Sequence, residues 1–475
     1  MKTFTQNPSK LAYCSPATKA VVAGSVTLVI TLLIFALEIA VSRLAETLEF
    51  LAAFVNTLQQ TSVILVIITS ALFISAPIVA ILNPDSAKIK RYISRRLLLP
   101  CFGNPLGLRE GDVLPSIKVK KSKKYDGDFE VYISCISSSI EKLQSAVSCL
   151  SSSLTNNFKN FAVTRVFPDV NMSGIKFIVS NVSKRKQIII NDIAELKHDI
   201  ATKIKVQQGV DIDLTKTGSM IVSGRTRSGK STFALSSLLS ILMHGPDEFG
   251  SSITIVDGKR AELSMLPGVI APDEDGNVYP VYKALLEFEQ AVKLRQRALN
   301  DLSKKHGNAV LWHNSKVIQM RPSILYIDEY VSLRNLVPRK ASKEHPDFDL
   351  AAFDSLLLRL FTMASSAGAY VWLSVPIASV GEAGVPTIVR ESVSSKILFK
   401  PSREAALYLW TAAELDVLTF RDFKAGDAFF SSQDGIHDTP SFVSTPDICN
   451  IDCYKQLGVL LEEYNAEKNI EAAVS

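Results

Sequence analysis

"GSMIVSGRTRSGKSTFALSSLLSILM", residues 218–243, is an apolar run that breaks into a loop of glycine, serine and arginine and resumes with helical spacing. Within it Gly224, four intervening residues, then Gly229, Lys230 and Ser231 satisfy the pattern GxxxxGK[ST]. Glycines let consecutive backbone amides curl around an anion, the lysine reaches the outer phosphates of a nucleotide, and the hydroxyl can ligate Mg²⁺. A strand over 219–222 before the loop and a helix after it aim the helix N-terminus, where the dipole favours negative charge, at that anion. The spacing therefore predicts a nucleotide site built from Gly224, Arg225, Thr226, Arg227, Ser228, Gly229, Lys230, Ser231 and Thr232, with ATP and Mg²⁺ as its cofactors.

Outward from this loop the chain alternates strand and helix. "SMIVSG", "SSITIVDG", "SILYIDEY", "AYVWLSV" and "SKILFK" are short apolar runs that each end in polar or charged residues. Such alternation predicts an α/β domain with a parallel sheet, and open sheets of this kind bind ligands at the carboxyl ends of their strands. "SILYIDEY" delivers Asp328 and Glu329 to such an end, about a hundred residues after the loop. Beside a phosphate loop, Asp328 is expected to hold Mg²⁺, together with Ser231, and Glu329 to polarise the attacking water.

The N-terminal part differs in character. Residues 20–37 and 62–82 carry no charge, and each run is long enough to cross a hydrocarbon core of ~30 Å. The first exceeds the apolar region of a signal peptide and a second follows closely, so a transmembrane hairpin is expected over 20–83, with spans at about 20–42 and 62–82. Lys2, Lys10 and Lys19 precede it and Lys88, Lys90, Arg91, Arg95 and Arg96 follow it, which places both termini in the cytoplasm of a bacterial inner-membrane protein. The connection bearing Glu46 and Glu49 then lies outside, and Glu38 is read as a border residue. Six scattered cysteines without a CxxC fit a reducing compartment and offer no disulfide framework.

Between 83 and 205 there are 21 Lys/Arg against 11 Asp/Glu, an excess larger than the +5 of the whole chain. Its densest part, "IKVKKSKKYDGD" (117–128), reads as a solvated linker that also suits anionic lipid, or as a DNA-backbone contact. "DFEVYISCI", a helical "SSIEKLQSAVSCLSSSL" capped by Ser138 or Ser139, "NFAVTRVFPDV" and "GIKFIVSNV" then predict a small α+β adaptor. The expected organisation is a tail (1–19), the hairpin, the linker and adaptor (84–205), the nucleotide domain (206–445) and a helical tail (446–475).

The order "IVSGRTRSGKSTF", "ITIVDGKRAELSML", "SILYIDEYVSL", "LRLFTMASSAGAYVWLSVP", "SSKILFKPSREAALYLW" and "KAGDAF" resembles the FtsK/SpoIIIE-type DNA translocase motor of the FtsK-HerA group. Asp257, Lys259, Glu262 and Leu263 match that family's Asp-Pro-Lys…Glu-Leu signature, with Gly258 where proline is usual. The resemblance implies a RecA-like P-loop domain that works as a homo-oligomer, a hexamer, and moves DNA. A two-span anchor, a small adaptor and only about thirty residues after Thr445 place it nearer the TcpA-type coupling proteins of mobile elements than the chromosome translocases, which end in a winged-helix domain. A relaxase and a transfer channel are the partners this implies.

A ring that moves DNA grips phosphates, because backbone charge is independent of sequence. Lys293, Arg295 and Arg297 are the candidates, with a solvated helix face as the alternative. Ser374 and then Val375 stand where the family places a γ-phosphate-sensing glutamine, so Ser374 is the implied catalytic residue beside Glu329 and Lys230. Ser365 stands where the family has an arginine that acts across the subunit boundary; Arg359 matches another family arginine several residues away, which leaves Arg390, Arg403 or Arg421 of a neighbouring subunit as substitutes. These departures keep two other readings open, a DNA-docking scaffold with weak hydrolysis and a protein-export ATPase of the same fold.

Overall fold

The computed structural model describes residues 4–5, 13–45, 52–123, 127–135, 140–183, 186–314, 316–318, 320–379, 384–416, 418, 420 and 422–474. Lys2, Lys10, Glu46, Glu49, Ser138, Ser139 and Arg421 lie outside them. The chain forms two compact units, Met1–Ser183 and Lys184–Ser475, so the division falls ahead of the boundary expected near residue 206.

In the first unit the helices Pro16–Ala45 and Ala52–Leu82 pack on each other and are long and apolar enough to cross a membrane, as a membrane anchor requires. Their mutual face carries the small and polar residues. Thr69 and Thr27 bond hydroxyl to hydroxyl at 3.1 Å, and Ser62 Oγ donates to Glu38 Oε2 at 3.3 Å. Apolar side chains such as Leu33 and Ile67 face outward. The helix Asp85–Leu98 carries the basic residues Lys88, Lys90, Arg91, Arg95 and Arg96 and buries Ile89, Ile93, Leu97 and Leu98.

That amphipathic helix packs on an antiparallel sheet of strands β1 (Ile117–Lys121), β2 (Phe129–Ser134), β3 (Phe161–Pro168) and β4 (Gly174–Asn181), in the order β1-β2-β4-β3. The lysine-rich stretch expected as a linker is therefore partly an edge strand. Ile117 pairs with Ile133 and Lys121 with Phe129, while Lys120 bonds Glu130 at 3.2 Å. Exposed lysines on an edge oppose pairing with another chain, which is why the strand reads as solvated sequence. The expected single helix splits into Ile140–Ser145 and Val147–Ser153.

The second unit opens with a hairpin, β5 (Lys203–Gln207) and β6 (Val210–Asp213). It is built on a seven-stranded sheet of β7 (Met220–Gly224), β8 (Ile253–Asp257), β9 (Ser323–Asp328), β10 (Ala369–Val375), β11 (Ser395–Phe399), β12 (Asp427–Ser432) and β13 (His437–Ser444). The order is β8-β9-β10-β7-β11-β12-β13; the first five strands are parallel and the last two run antiparallel. All five expected strands are present. Successive residues feed opposite cores, Met220 and Val222 on one face and Ile221 on the other, as a parallel sheet covered on both sides requires. This is the architecture of a RecA-like P-loop domain.

The helix Leu350–Met363 is apolar enough to be mistaken for a third span, but Phe353, Leu356, Leu357, Leu360 and Phe361 bury its apolar face in the domain core. The C-terminal helix Cys453–Val474 is no free tail either. Cys453, Leu457, Leu461 and Tyr464 join the core on the side of the helix Lys230–Leu242, and the Tyr464 hydroxyl meets Ser251 Oγ at 2.9 Å.

Candidate nucleotide site

The five parallel strands end on one edge, and the predicted loop lies there between β7 and the helix Lys230–Leu242. Gly229 caps that helix with φ +105°, a left-handed backbone that disfavours any side chain. A Cβ there would also lie 2.7 Å from the amide nitrogen of Gly426. Gly426 in turn donates its N–H to Ser228 O at 2.9 Å, so the "KAGDAF" turn buttresses the loop. Arg227 too takes a positive φ, +60°, and Arg225, Thr226 and Arg227 project into solvent. Ser228 and Lys230 are buried, Gly229 is half-buried, and Ser231 and Thr232 follow in the first helical turn.

The strand β10 separates β7 from β9, which sets the acidic pair two strands from the loop. Asp328 ends β9, and its Oδ1 accepts the Tyr326 hydroxyl at 2.9 Å. Burial first, and then the Asp328 charge, push the Tyr326 phenol well above its ordinary range, so it stays protonated and able to donate. Glu329 departs from regular structure. It sits at φ +50° and ψ +48°, a strained conformation for a residue with a side chain, directly ahead of the helix Tyr330–Leu336. Its Oε1 lies 3.4 Å from Lys230 Nζ and 2.9 Å from Lys259 Nζ, while Oε2 is shielded from solvent without a hydrogen-bond partner.

Lys259 reaches Glu329 from the loop "VDGKRAEL". Asp257 organises that loop, its carboxylate accepting the N–H groups of Lys259 at 3.1 Å, Ala261 at 2.7 Å and Ser264 at 3.0 Å. Gly258 N–H donates to Asp328 O at 3.0 Å, and a Cβ at 258 would meet Asp328 O at 2.7 Å, Glu329 O at 2.9 Å and Leu333 Cβ at 2.9 Å. A proline at 258 would lose that donor and collide, which accounts for glycine here. The sequence singled out Lys259 only as a motif match. Its pairing with Glu329 and the support from Gly426 are tertiary facts; glycine in place of the usual proline was the one local hint of a close approach.

Ser374, the implied sensor, is fully buried on β10 opposite Val222, and Val375 is buried beside it opposite Ser223. The Oγ atoms of Ser223 and Ser228 share with Glu329 Oε2 the property of being shielded without a partner, whereas Ser374 Oγ lies against the Tyr326 hydroxyl. Buried polar atoms are ordinarily satisfied, so the bare Ser228 Oγ of the loop and the bare Glu329 Oε2 leave hydrogen-bonding capacity for a polar ligand. Ser365 is exposed on the turn Ala364–Ala367. Arg359, the other family match, is paired with Glu289 at 2.7 Å; of the substitutes for Ser365, Arg390 donates to Tyr408 O at 2.7 Å and Arg403 is paired with Asp416.

The three basic candidates on the helix Tyr279–His306 separate. Arg295 cannot meet a DNA backbone, because it is 1% exposed and its guanidinium is spent inside the protein. It donates to Ala367 O at 2.9 Å and Arg321 O at 2.7 Å, and lies 3.4 Å from Asp247. One residue in a helical turn faces inward, and here an arginine takes that place. Lys293 is half-exposed and paired with Glu289 at 2.8 Å, and Arg297, one turn on, is exposed.

No family model and no curated protein matches the chain. Among solved structures it is similar to the pCW3 conjugation coupling protein TcpA, monomer form with ATPγS, at 16% identity over 73% of this chain and 93% of that one, with a TM-score of 0.44. It is also similar to ATPases 2 and 3 of EssC from Geobacillus thermodenitrificans, at 14% identity over 59% of this chain and 52% of that one, TM-score 0.40. A third is the genome packaging NTPase B204 from Sulfolobus turreted icosahedral virus 2 in complex with AMPPCP, at 18% identity over 49% of this chain and 99% of that one, TM-score 0.28.

Proposed function

We propose that the protein is a membrane-anchored ATPase that binds and moves DNA, acting as a homo-oligomer, a hexamer, beside a relaxase and a transfer channel of a mobile element. The observation that carries the ATPase reading is Glu329, strained, paired on one oxygen and bare on the other, at the sheet edge that holds the phosphate loop. In this reading the amides of residues 224–232 and Lys230 hold the phosphates, and Ser231 and Asp328 hold Mg²⁺. When bound, ATP supplies the phosphoryl group and Mg²⁺ the charge that neutralises it. Glu329 Oε2 orients a water and accepts its proton, Tyr326 fixes Asp328 through Oδ1, and Ser374 offers a hydroxyl between loop and acidic pair. Lys293 and Arg297 remain the surface for a DNA backbone.

Val375, buried where a sensing side chain would stand, favours a second reading, a nucleotide-binding scaffold that docks DNA with little turnover. Phosphate release by the full-length protein in nanodiscs, with and without duplex DNA, separates the two. The motor requires turnover that DNA stimulates at least roughly tenfold, by analogy with the size of in-trans activation in phosphoryl-transfer enzymes. Nucleotide binding with turnover indifferent to DNA favours the scaffold, and turnover with no DNA binding at low salt favours protein export.

A further inference from the structure

Glu329 Oε1 is shared by two ammonium groups that differ in what else they can do. Lys230 Nζ is 8% exposed as a side chain and faces the phosphate loop it begins from; Lys259, 49% exposed, stands on a loop stitched to the acidic pair. The stitching is rigid: Asp257 fixes the Lys259 backbone, and Gly258 N–H bonds Asp328 O at a separation no side chain at 258 would allow. The fold therefore anchors the Lys259 backbone beside Glu329, and its Nζ meets Oε1 at 2.9 Å, closer than Lys230 Nζ at 3.4 Å.

We infer that Lys259 is the counter-ion that keeps Glu329 when Lys230 turns to a bound phosphate, and that it thereby sets nucleotide affinity as well as the aim of the carboxylate. The inference rests on the reading of residues 224–232 as a nucleotide site. Its physical basis is the cost of stranding a charge. A carboxylate 14% exposed that loses its only cation while phosphate charge arrives nearby is penalised twice, by lost pairing and by repulsion. With Lys259 at 2.9 Å, Lys230 can leave and the carboxylate stays paired; without it, Glu329 holds Lys230 back. Lys259 is thus a positioning residue and touches no phosphate itself.

The test is a double-mutant cycle on ADP affinity, read without turnover by displacing a fluorescent ADP analogue from the full-length protein in nanodiscs. Lys259→Ala should raise Kd about tenfold with Glu329 present and less than about twofold in a Glu329→Gln background, where there is no carboxylate to strand. Lys259→Arg, which keeps the charge, should stay within about threefold of the parent. An equal loss in both backgrounds would overturn the inference, because Lys259 would then be acting on the nucleotide directly, and so would an unchanged Kd in the Lys259→Ala protein. A parent protein that binds no ADP overturns the nucleotide site itself, and the inference with it.

Discussion

Glu289 and Glu329 each hold two basic side chains, and they hold them differently. At Glu289, in the middle of the helix Tyr279–His306, Arg359 Nε bonds Oε1 at 2.7 Å and Lys293 Nζ bonds Oε2 at 2.8 Å. Both oxygens are used and the backbone is ordinary helix. At Glu329 both lysines crowd Oε1, Oε2 is left bare and buried, and the backbone sits at positive φ. Charge count alone would rank the two sites alike. The difference lies in what remains undone: a carboxylate with both oxygens satisfied fastens one helix to another, whereas one held strained with an open acceptor stores capacity for a partner still to come.

The widest break between them should come from removing each charge in turn. Glu329→Gln keeps the shape and should cut phosphate release about 10²- to 10⁴-fold, the range for losing a positioned general base, while ATP still binds. Glu289→Gln should leave release within about twofold. Steady-state turnover of both variants, normalised to bound nucleotide, checks this; comparable losses at both positions would erase the distinction.

Gly258 tests whether the strain at Glu329 is supported from outside. Alanine there places a Cβ 2.7 Å from Asp328 O and 2.9 Å from Glu329 O, so one of the two chains must shift. Overpacking of this kind costs about 1–3 kcal/mol, and the displacement falls on the acidic pair. Turnover should fall roughly tenfold, since misplacement by an ångström is costly in a positioned site. Gly458, in the same unit, offers the control: a Cβ there meets nothing nearer than Leu266 Cδ2 at 3.4 Å, an ordinary contact, and alanine there should spare turnover.

What the sequence made legible divides along the same line. The loop 224–232, the five parallel strands and the acidic pair were readable because each is local, an apolar period followed by a fixed motif. Arg295 was misread for the opposite reason. Its neighbours Lys293 and Arg297 share its charge, and only the packing of helix against sheet reveals that it points inward to Asp247 and two carbonyls. The lysine-rich β1 was missed because only two apolar residues, Ile117 and Val119, alternate among its lysines before the charges continue, too short a period to read as a strand. Lys259 stayed a motif letter because its partner lies 70 positions away in the chain, beyond any sequence period.

The smallest effect sharpens the structural half of the comparison. Burial alone would push the Glu289 carboxyl up, but the hydrogen bonds from Arg359 and Lys293 outweigh it and hold it below the usual carboxylate value. A group whose folded pKa is depressed contributes stability that is fully present above the unfolded value, ~4.3, and is lost as pH falls through the folded one. Its two cations are half-exposed and screened, so the contribution near neutrality is about 1 kcal/mol. Parent and Glu289→Gln proteins should therefore differ in thermal midpoint by roughly 2 °C at pH 7, and the gap should close as pH drops below ~4, where the glutamate becomes neutral as well. A gap that persists at low pH would mean that glutamine disturbs packing rather than pairing, and Glu289 would lose its standing as the finished counterpart of Glu329.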